Sequence, residues 1–355
     1  MDDLERRTIR HRAVSAELAS WSDRELAAAL EGGELGGTGI GGSTMRISVL
    51  GTSVFVKSVV LTEAERRPGS NRPTGNVFDL PTWYSWGVGS AGFGAWREVA
   101  AHEMTTRWAL AGTCADFPLL HHYRVLPSPP SEATPGQRDD IEHAVRFWDG
   151  SPAVRRRLEA MARASDAVVL FLEYVPETVR QWFTRQLGGD APTAEAACAL
   201  LEHQLLGAVR CMRSGGLTHF DAHFRNLLTD GDRVYVSDFG LAASPSFDVT
   251  EPERQFLQHT VDHDLAYVVT ELVNTIVTTV IAPPGPVERN DYLRRCVRDG
   301  SAVGLPAPLG STVCRYAAIA VVMNDFHWEL YAGRPRTPYP AHRITQALTA
   351  AGVLP

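Results

Sequence analysis

Two short motifs contain the residue types best suited to chemistry. The stretch "HFDAHFRN" (219–226) carries Asp221 and Asn226, and the tripeptide "DFG" begins at Asp238. A carboxylate can orient an attacking hydroxyl and accept its proton, whereas an amide oxygen and a second carboxylate are suitable ligands for Mg²⁺. These are the groups that phosphoryl transfer requires. The motifs therefore predict Asp221 as a catalytic residue, and Asn226 and Asp238 as metal ligands.

A third informative residue is Lys57, in the apolar run "SVFVKSVVL" (53–61). It is the only lysine in the chain, although the chain has 34 basic residues. Its ammonium would be poorly solvated in such a strand without an anionic partner. A compact ammonium also suits a polyphosphate in a position that the wide, planar guanidinium of arginine cannot occupy. We therefore expect Lys57 to anchor phosphate groups.

Glycines precede this strand in the stretch "GGTGIGG" (36–42), which places Gly37, Gly39 and Gly42 in G-x-G-x-x-G order. Without a Cβ atom, glycine lets backbone N–H groups approach phosphate oxygens closely. Alone the pattern is weak, because glycine-rich turns are common. It lies between strands rather than before a helix, which favours a β-hairpin over a dinucleotide-binding turn. We expect this hairpin to cover the phosphates.

The elements that must position these residues change in type along the chain. Up to about residue 175 the pattern is rich in strands, and beyond it long helices dominate, notably at 193–213 and 264–281. The sequence therefore predicts an α+β fold with two lobes and a cleft between them. The predicted parts are a helical extension (1–30), a small β-rich lobe (31–175) with insertions at 62–94 and 127–165, and a larger helical lobe (176–355).

Composition excludes several classes of function. The net charge is -7 and the pI about 6.0, which gives no electrostatic support for binding nucleic acid or an anionic membrane. The most apolar run (264–285) contains Glu271 and Asn274, so we interpret it as a buried core helix. Five scattered cysteines without C-x-x-C spacing favour a reduced, cytoplasmic protein without a zinc site. The histidines show no ligand spacing, so no metal beyond nucleotide-bound Mg²⁺ is expected.

Over roughly residues 30–280 the sequence resembles the protein-kinase-like superfamily. The resemblance rests on "VFVK" (54–57), "FLEYVPETVRQWF" (171–183), "HFDAHFRN" and "DFG", in that order. It implies a bilobal kinase-like fold, with one key helix in the small lobe, that binds ATP and Mg²⁺. It further implies that the backbone of Glu173 and Val175 binds adenine and that Leu172 lines the back of the adenine pocket.

Two carboxylate roles that the resemblance implies have competing interpretations. The helix at 95–112 should supply a glutamate partner for Lys57, and Glu98 and Glu103 compete for this role. We favour Glu98, because it shares its helix face with small residues that could pack closely under the sheet. Asp264 matches the aspartate that braces the catalytic loop in kinases, but it could equally be a helix N-cap.

Departures from the kinase pattern bear on regulation and on the acceptor. Phe220 stands where regulated protein kinases carry arginine, so we predict no switching by phosphorylation of the following loop, for example at Ser244 or Ser246. His223 makes the loop resemble the "D-x-H" of aminoglycoside and choline kinases. The stretch from Asp238 to Asp264 is short and lacks an A-P-E sequence, which puts a platform for a peptide substrate in doubt. In contrast, "DFGLA" (238–242) and "FLEYV" (171–175) resemble protein kinases.

The acceptor is therefore open. We expect the acceptor to be a hydroxyl, and the first candidate is a Ser or Thr of a protein or ribosomal peptide. A small molecule such as an antibiotic or metabolite is the alternative. In a third variant, phosphorylation of a peptide hydroxyl precedes elimination of the phosphate. A catalytically silent nucleotide-binding module, or an enzyme that transfers a nucleotidyl group, would be a different class of protein.

The two insertions have less specific patterns. Six aromatic residues lie among glycines at 78–96, and they predict either a recognition lid or, in our preferred interpretation, a packed insertion. Within the second insertion, "RRRLEAMARAS" (155–165) is typical of a solvated helix face.

Overall fold

The computed structural model describes residues 3–39, 42–66, 74–128 and 135–355, with the backbone alone at 37–39 and 135–137. The chain has an α+β fold, as predicted. It divides into two compact units: residues 1–175 together with 237–254, and residues 176–236 together with 255–355.

A five-stranded antiparallel sheet forms the centre of the first unit, with strand order β1-β2-β3-β5-β4. Its strands are β1 (Glu34–Gly39), β2 (Gly42–Val49), β3 (Thr52–Leu61), β4 (Leu120–Pro127) and β5 (Asp166–Glu173). The predicted glycine hairpin is confirmed, since Gly37 and Gly39 lie on β1 and pair with Thr44 and Gly42 of β2. Its turn, residues 40–41, lies outside the described residues. At Gly42, φ is +153° and an added Cβ would lie 1.7 Å from the carbonyl oxygen of Ser58, so only glycine fits.

The first unit contains five complete α-helices among its described residues, and helices cover both faces of this sheet. The five helices are α1 (Asp3–Ser20), α2 (Asp23–Glu31), α3 (Ala95–Leu110), α4 (Pro135–Phe147) and α5 (Pro152–Ala162). Val14 and Leu18 of α1 share a core cluster with Phe171 of β5, whereas Val99 of α3 packs with Leu170. Because neighbouring strand residues point to opposite faces, α1 and α3 lie on opposite sides of the sheet. A capping box begins α2, where Ser22 and Glu25 bond reciprocally.

The two insertions pack together. The Trp148 ring, at the end of α4, stacks on Trp83 at a centroid distance of 5.9 Å and meets Tyr84 edge-on at 4.8 Å. Tyr84 and Phe93 are buried. The packed-insertion interpretation of residues 78–96 is therefore confirmed.

The second unit is mainly helical, with a small sheet in the order β6-β7-β8. Its strands are β6 (Glu177–Thr178), β7 (Leu227–Thr229) and β8 (Val234–Val236), and its helices are α6 (Val179–Leu187), α7 (Ala191–Ser214), α9 (His263–Ile276), α10 (Pro286–Asp299), α11 (Ala307–Tyr331) and α12 (Ala341–Ala350). Helix α8 (Glu251–His259) begins in the first unit and ends in the second.

Helix α9 is the central helix of the second unit. It packs against α7 and α11 and continues into a π-helical turn, Val277–Ile281. By length and composition the stretch His263–Ile281 could cross a membrane, but 67% of its most apolar window is buried inside the protein. The sequence-based interpretation as a buried core helix agrees with this packing.

A buried histidine pair joins α1 to β4. Nδ1 of His121 lies 3.1 Å from Nδ1 of His11, and His121 is 4% exposed. Burial, together with the neighbouring His11 and two arginines, lowers the pKa of His121 to about 3. The imidazole is therefore neutral in the folded protein at physiological pH.

This neutrality predicts a loss of stability in acid. An unfolded histidine binds a proton below about pH 6.5, but His121 in the folded protein does not until about pH 3. The unfolded chain thus binds more protons, and stability falls as the pH falls. Between pH 7 and pH 5 we expect the free energy of unfolding of the natural protein to fall by about 2 kcal/mol more than that of His121→Leu. Urea denaturation at both pH values measures the difference, and identical pH dependences would contradict the prediction.

Candidate functional site

An ion cluster centred on Lys57 lies in the first unit. Its Nζ is 2.6 Å from Oε1 of Glu98 and 2.7 Å from Oδ1 of Asp238. On β3, Lys57 shares a face with Val59, which packs with α3, so the strand directs the ammonium towards the helix that carries Glu98. The partner on α3 is therefore Glu98, as favoured, and not Glu103. Three of the residues predicted from separate motifs come together here.

The electrostatics of the cluster keep the lysine charged. Burial lowers the pKa of Lys57, but the adjacent carboxylates of Asp238 and Glu98 outweigh this effect and raise it above its ordinary value. Burial also raises the pKa of Glu98, and Lys57 opposes that shift. The Glu98 side chain is 3% exposed, whereas that of Asp238 is 45% exposed. The cluster thus presents the accessible carboxylate of Asp238 beside an ammonium that the buried Glu98 fixes in place.

The backbone at Asp238 is strained. Its φ is +62° and ψ is +68°, a left-handed conformation that costs a non-glycine residue about 1–3 kcal/mol. The next residue, Phe239, is fully buried and meets the ring of His102 edge-on at 4.9 Å. The buried phenylalanine therefore fixes the backbone next to the carboxylate that contacts Lys57.

The second unit brings Asp221, His223 and Asn226 together in one loop. The amide nitrogen of Asn226 donates to the backbone oxygen and to Oδ2 of Asp221, each at 3.0 Å. The Nδ1 atom of His223 accepts from the backbone N–H of Asn226 at 3.2 Å, which places the ring proton on Nε2. That Nε2 atom lies 3.8 Å from Oδ1 of Asp221. The asparagine therefore orients the carboxylate, and the histidine ring lies beside it.

Asp264 braces this loop from α9. Its two carboxylate oxygens accept the backbone N–H groups of His219 at 2.6 Å and Phe220 at 3.0 Å. The helix N-cap is Asp262, so the bracing interpretation of Asp264 is confirmed. Burial raises its pKa to about 6, although the two N–H bonds oppose the shift.

Phe220, in the same loop as Asp221, also has a left-handed backbone, with φ at +65°. Its ring is 1% exposed and stacks on Phe256 at a centroid distance of 5.5 Å. An apolar contact therefore occupies this position of the loop.

The adenine contacts that the resemblance implies lie at the end of β5, where Leu172, Glu173 and Val175 are all buried. The Glu173 carboxylate is bound by Arg7 of α1, with Nη2 to Oε2 at 2.8 Å and Nε to Oε1 at 3.0 Å. Any nucleotide contact at Glu173 must then be made by its backbone. Sequence reasoning missed Arg7. A usable signal existed, since Arg7 lies on the same face of α1 as Val14 and Leu18.

Among the described residues, no group of three or more His, Cys, Asp or Glu side chains is placed to hold a metal ion. No family model matches the chain, and no curated protein matches it significantly. Its function must therefore be argued from the geometry of these two groups of residues.

The bracing contact yields a prediction for Asp264→Asn. An amide offers one acceptor oxygen, so its NH₂ group would face the second backbone N–H. We expect the free energy of unfolding to fall by about 1–3 kcal/mol, because a buried donor loses its acceptor. Urea denaturation tests this, with the exposed Asp232→Asn as the matched control. Equal stability of both variants would show that the loop does not need the brace.

Proposed function

We propose that the protein is a Mg²⁺-ATP-dependent phosphotransferase that moves the γ-phosphate of ATP to a hydroxyl group. The observation that carries this proposal is the ion cluster of Lys57 with Glu98 and Asp238. Protein kinases require a strand lysine paired with a helix glutamate, together with a metal-binding aspartate. The strand order β1-β2-β3-β5-β4 with α3 against the sheet gives those residues a rigid support.

In this proposal Lys57 holds the ATP phosphates and Glu98 fixes its ammonium. A phosphate that replaced Asp238 beside Lys57 would leave the buried Lys57–Glu98 contact of 2.6 Å intact. The hairpin of Gly37, Gly39 and Gly42 supplies backbone N–H groups to the phosphates. Adenine would bind to the backbone near Glu173 and Val175, with Leu172 behind it.

Mg²⁺ would be held by Asp238 and Asn226, where it would neutralise phosphate charge. Both residues fit this cation, because it takes oxygen ligands. The Asp238 carboxylate is 45% exposed. At Asn226 it is the amide nitrogen that bonds Asp221, so the amide oxygen points elsewhere.

Asp221 is the proposed catalytic residue that orients the acceptor hydroxyl and takes its proton. Its side chain is 20% exposed and its Oδ1 atom is buried, so an acceptor hydroxyl would bind at Oδ2. Oδ2 is fixed by Asn226, and Nε2 of His223 lies 3.8 Å from Oδ1. His223 therefore acts as a positioning residue in this proposal.

For the acceptor, a Ser or Thr of a protein or peptide is the first candidate, on the strength of the "DFGLA" and "FLEYV" motifs. A small-molecule hydroxyl is the second candidate, and the contact of His223 with Asp221 favours it. After incubation with ATP labelled at the γ-phosphate, proteins and peptides are separated from small molecules. The fraction that carries the label identifies the class of acceptor.

Asp221→Asn separates binding from catalysis. The variant keeps the shape of the side chain but cannot accept a proton, so we expect Mg²⁺-ATP to raise the melting temperature as in the natural protein. We expect transfer of labelled γ-phosphate to fall by about 10²–10⁴-fold. Lys57→Met should lose both the transfer and the thermal shift. The control Asp232→Asn should behave like the natural protein.

Other outcomes of this experiment would overturn the proposal. Nucleotide binding without consumption of ATP against any acceptor would indicate a silent binding module. Transfer of label from the α-phosphate would indicate a nucleotidyl transferase. If no nucleotide raised the melting temperature, the proposed ATP site would be wrong.

Loop phosphorylation is not expected to switch the activity. Ser244 is 1% exposed, and its hydroxyl lies 2.8 Å from that of Ser246. The double variant Ser244→Ala/Ser246→Ala should keep its transfer rate within about twofold, the range of substitutions away from special features. A rate assay on enzyme treated with phosphatase is the companion measurement. Loss of activity in either sample would contradict the prediction.

A further inference from the structure

A buried ion pair joins the two insertions. Nη1 of Arg157, on α5, lies 2.8 Å from Oε2 of Glu65, and each side chain is 2% exposed. The Arg157 guanidinium also lies over the Phe78 ring at 5.3 Å. The sequence-based interpretation of residues 155–165 as a solvated face is therefore wrong for Arg157, although Arg163 is solvated, with a side chain that is 72% exposed.

Glu65 extends this pair to the start of α3. Its Oε1 accepts the backbone N–H of Ala95, the first residue of the helix, at 2.8 Å. Its backbone oxygen accepts Nε1 of Trp96 at 3.1 Å. An added Cβ at Gly94 would lie 2.6 Å from Oε1, so the glycine permits this approach. A carboxylate at a helix N-terminus also complements the helix dipole.

The anchored residues stand directly beside the candidate site. Glu98 follows Ala95 by three residues, which is less than one helical turn. A second bond from the first insertion lies within that turn, since Nε of Arg97 donates to the carbonyl of Thr74 at 2.7 Å. The insertions thus hold the same turn of α3 that places Glu98 2.6 Å from Lys57.

We infer that Arg157 and Glu65 are positioning residues for the Lys57–Glu98 pair. Through them the insertions set α3 in place from within the chain, without a phosphorylated loop or a partner protein. The inference deepens the proposed function and rests on it for its nucleotide readout. Its structural readout needs no nucleotide.

The experiment uses the single lysine as a probe. In the full chain labelled with ¹⁵N-lysine, Lys57 gives the only side-chain ammonium signal. Arg157→Met should shift this signal and speed hydrogen exchange at Ala95–Glu98, because Glu65 loses its counter-charge. The matched control is Arg155→Met on the same helix, since Arg155 pairs with Glu142 at the surface. It should change neither readout.

Nucleotide binding gives the second readout. Arg157→Met should weaken Mg²⁺-ATP binding by about tenfold, a size typical of contacting residues that are coupled. Adding Glu98→Gln to Arg157→Met should weaken it little further, because both changes disturb the same contact. Fully additive losses would indicate a merely structural role and would overturn the inference. Arg157→Lys, which keeps the charge, should restore most of the affinity.

The two proposals fail separately. If the lysine signal and the exchange respond but the natural protein binds no nucleotide, the positioning role stands and the phosphotransferase proposal is wrong. If the natural protein binds Mg²⁺-ATP and Arg157→Met changes neither the signal nor the exchange, the positioning role is wrong. Should Arg157→Met not fold, Glu65→Gln keeps the shape of the partner and is judged by the same criteria.

Discussion

The structure of the first unit depends on one requirement, which is that the Lys57 ammonium must be neutralised where little water can reach it. One lysine between two carboxylates, at 2.6 and 2.7 Å, meets that requirement. Each partner imposes its own condition on the chain. Glu98 can contact Lys57 only if α3 packs against the sheet in a defined position. Asp238 contacts Lys57 from a left-handed backbone that is followed by a buried phenylalanine.

The second unit orders its polar residues by a different means. Asp221 is held by neutral hydrogen bonds from Asn226, and its loop by two backbone bonds to Asp264. A neutral side-chain amide can hold the Asp221 carboxylate in place without placing a cation beside it. In the proposed reaction this matters, because a cation paired with Asp221 would make it a poorer proton acceptor. The Nε2 atom of His223 lies 3.8 Å from its Oδ1 atom.

Sequence reasoning found the residues whose roles leave a local pattern. The apolar run around Lys57 and the spacing around Asp221 are such patterns, and helix phase was enough to favour Glu98. It also predicted the α+β class and the packed aromatic insertion. It missed Arg7 and Arg157, whose partners lie 166 and 92 residues away. An arginine on a charged helix is typical of a solvated surface, and only the tertiary fold supplies the buried acid that contradicts this expectation.

The order of strands has a consequence for synthesis on the ribosome. Strand β5 lies between β3 and β4 but is the last of the five to be made. Until it emerges, β3 lacks one neighbour and α1 lacks the acid that binds Arg7. The first unit also needs residues 237–254, which follow residues 176–236 of the second. The nascent first unit therefore stays incomplete, with apolar surface exposed, while part of the other unit is translated. A chaperone would be most useful during this interval.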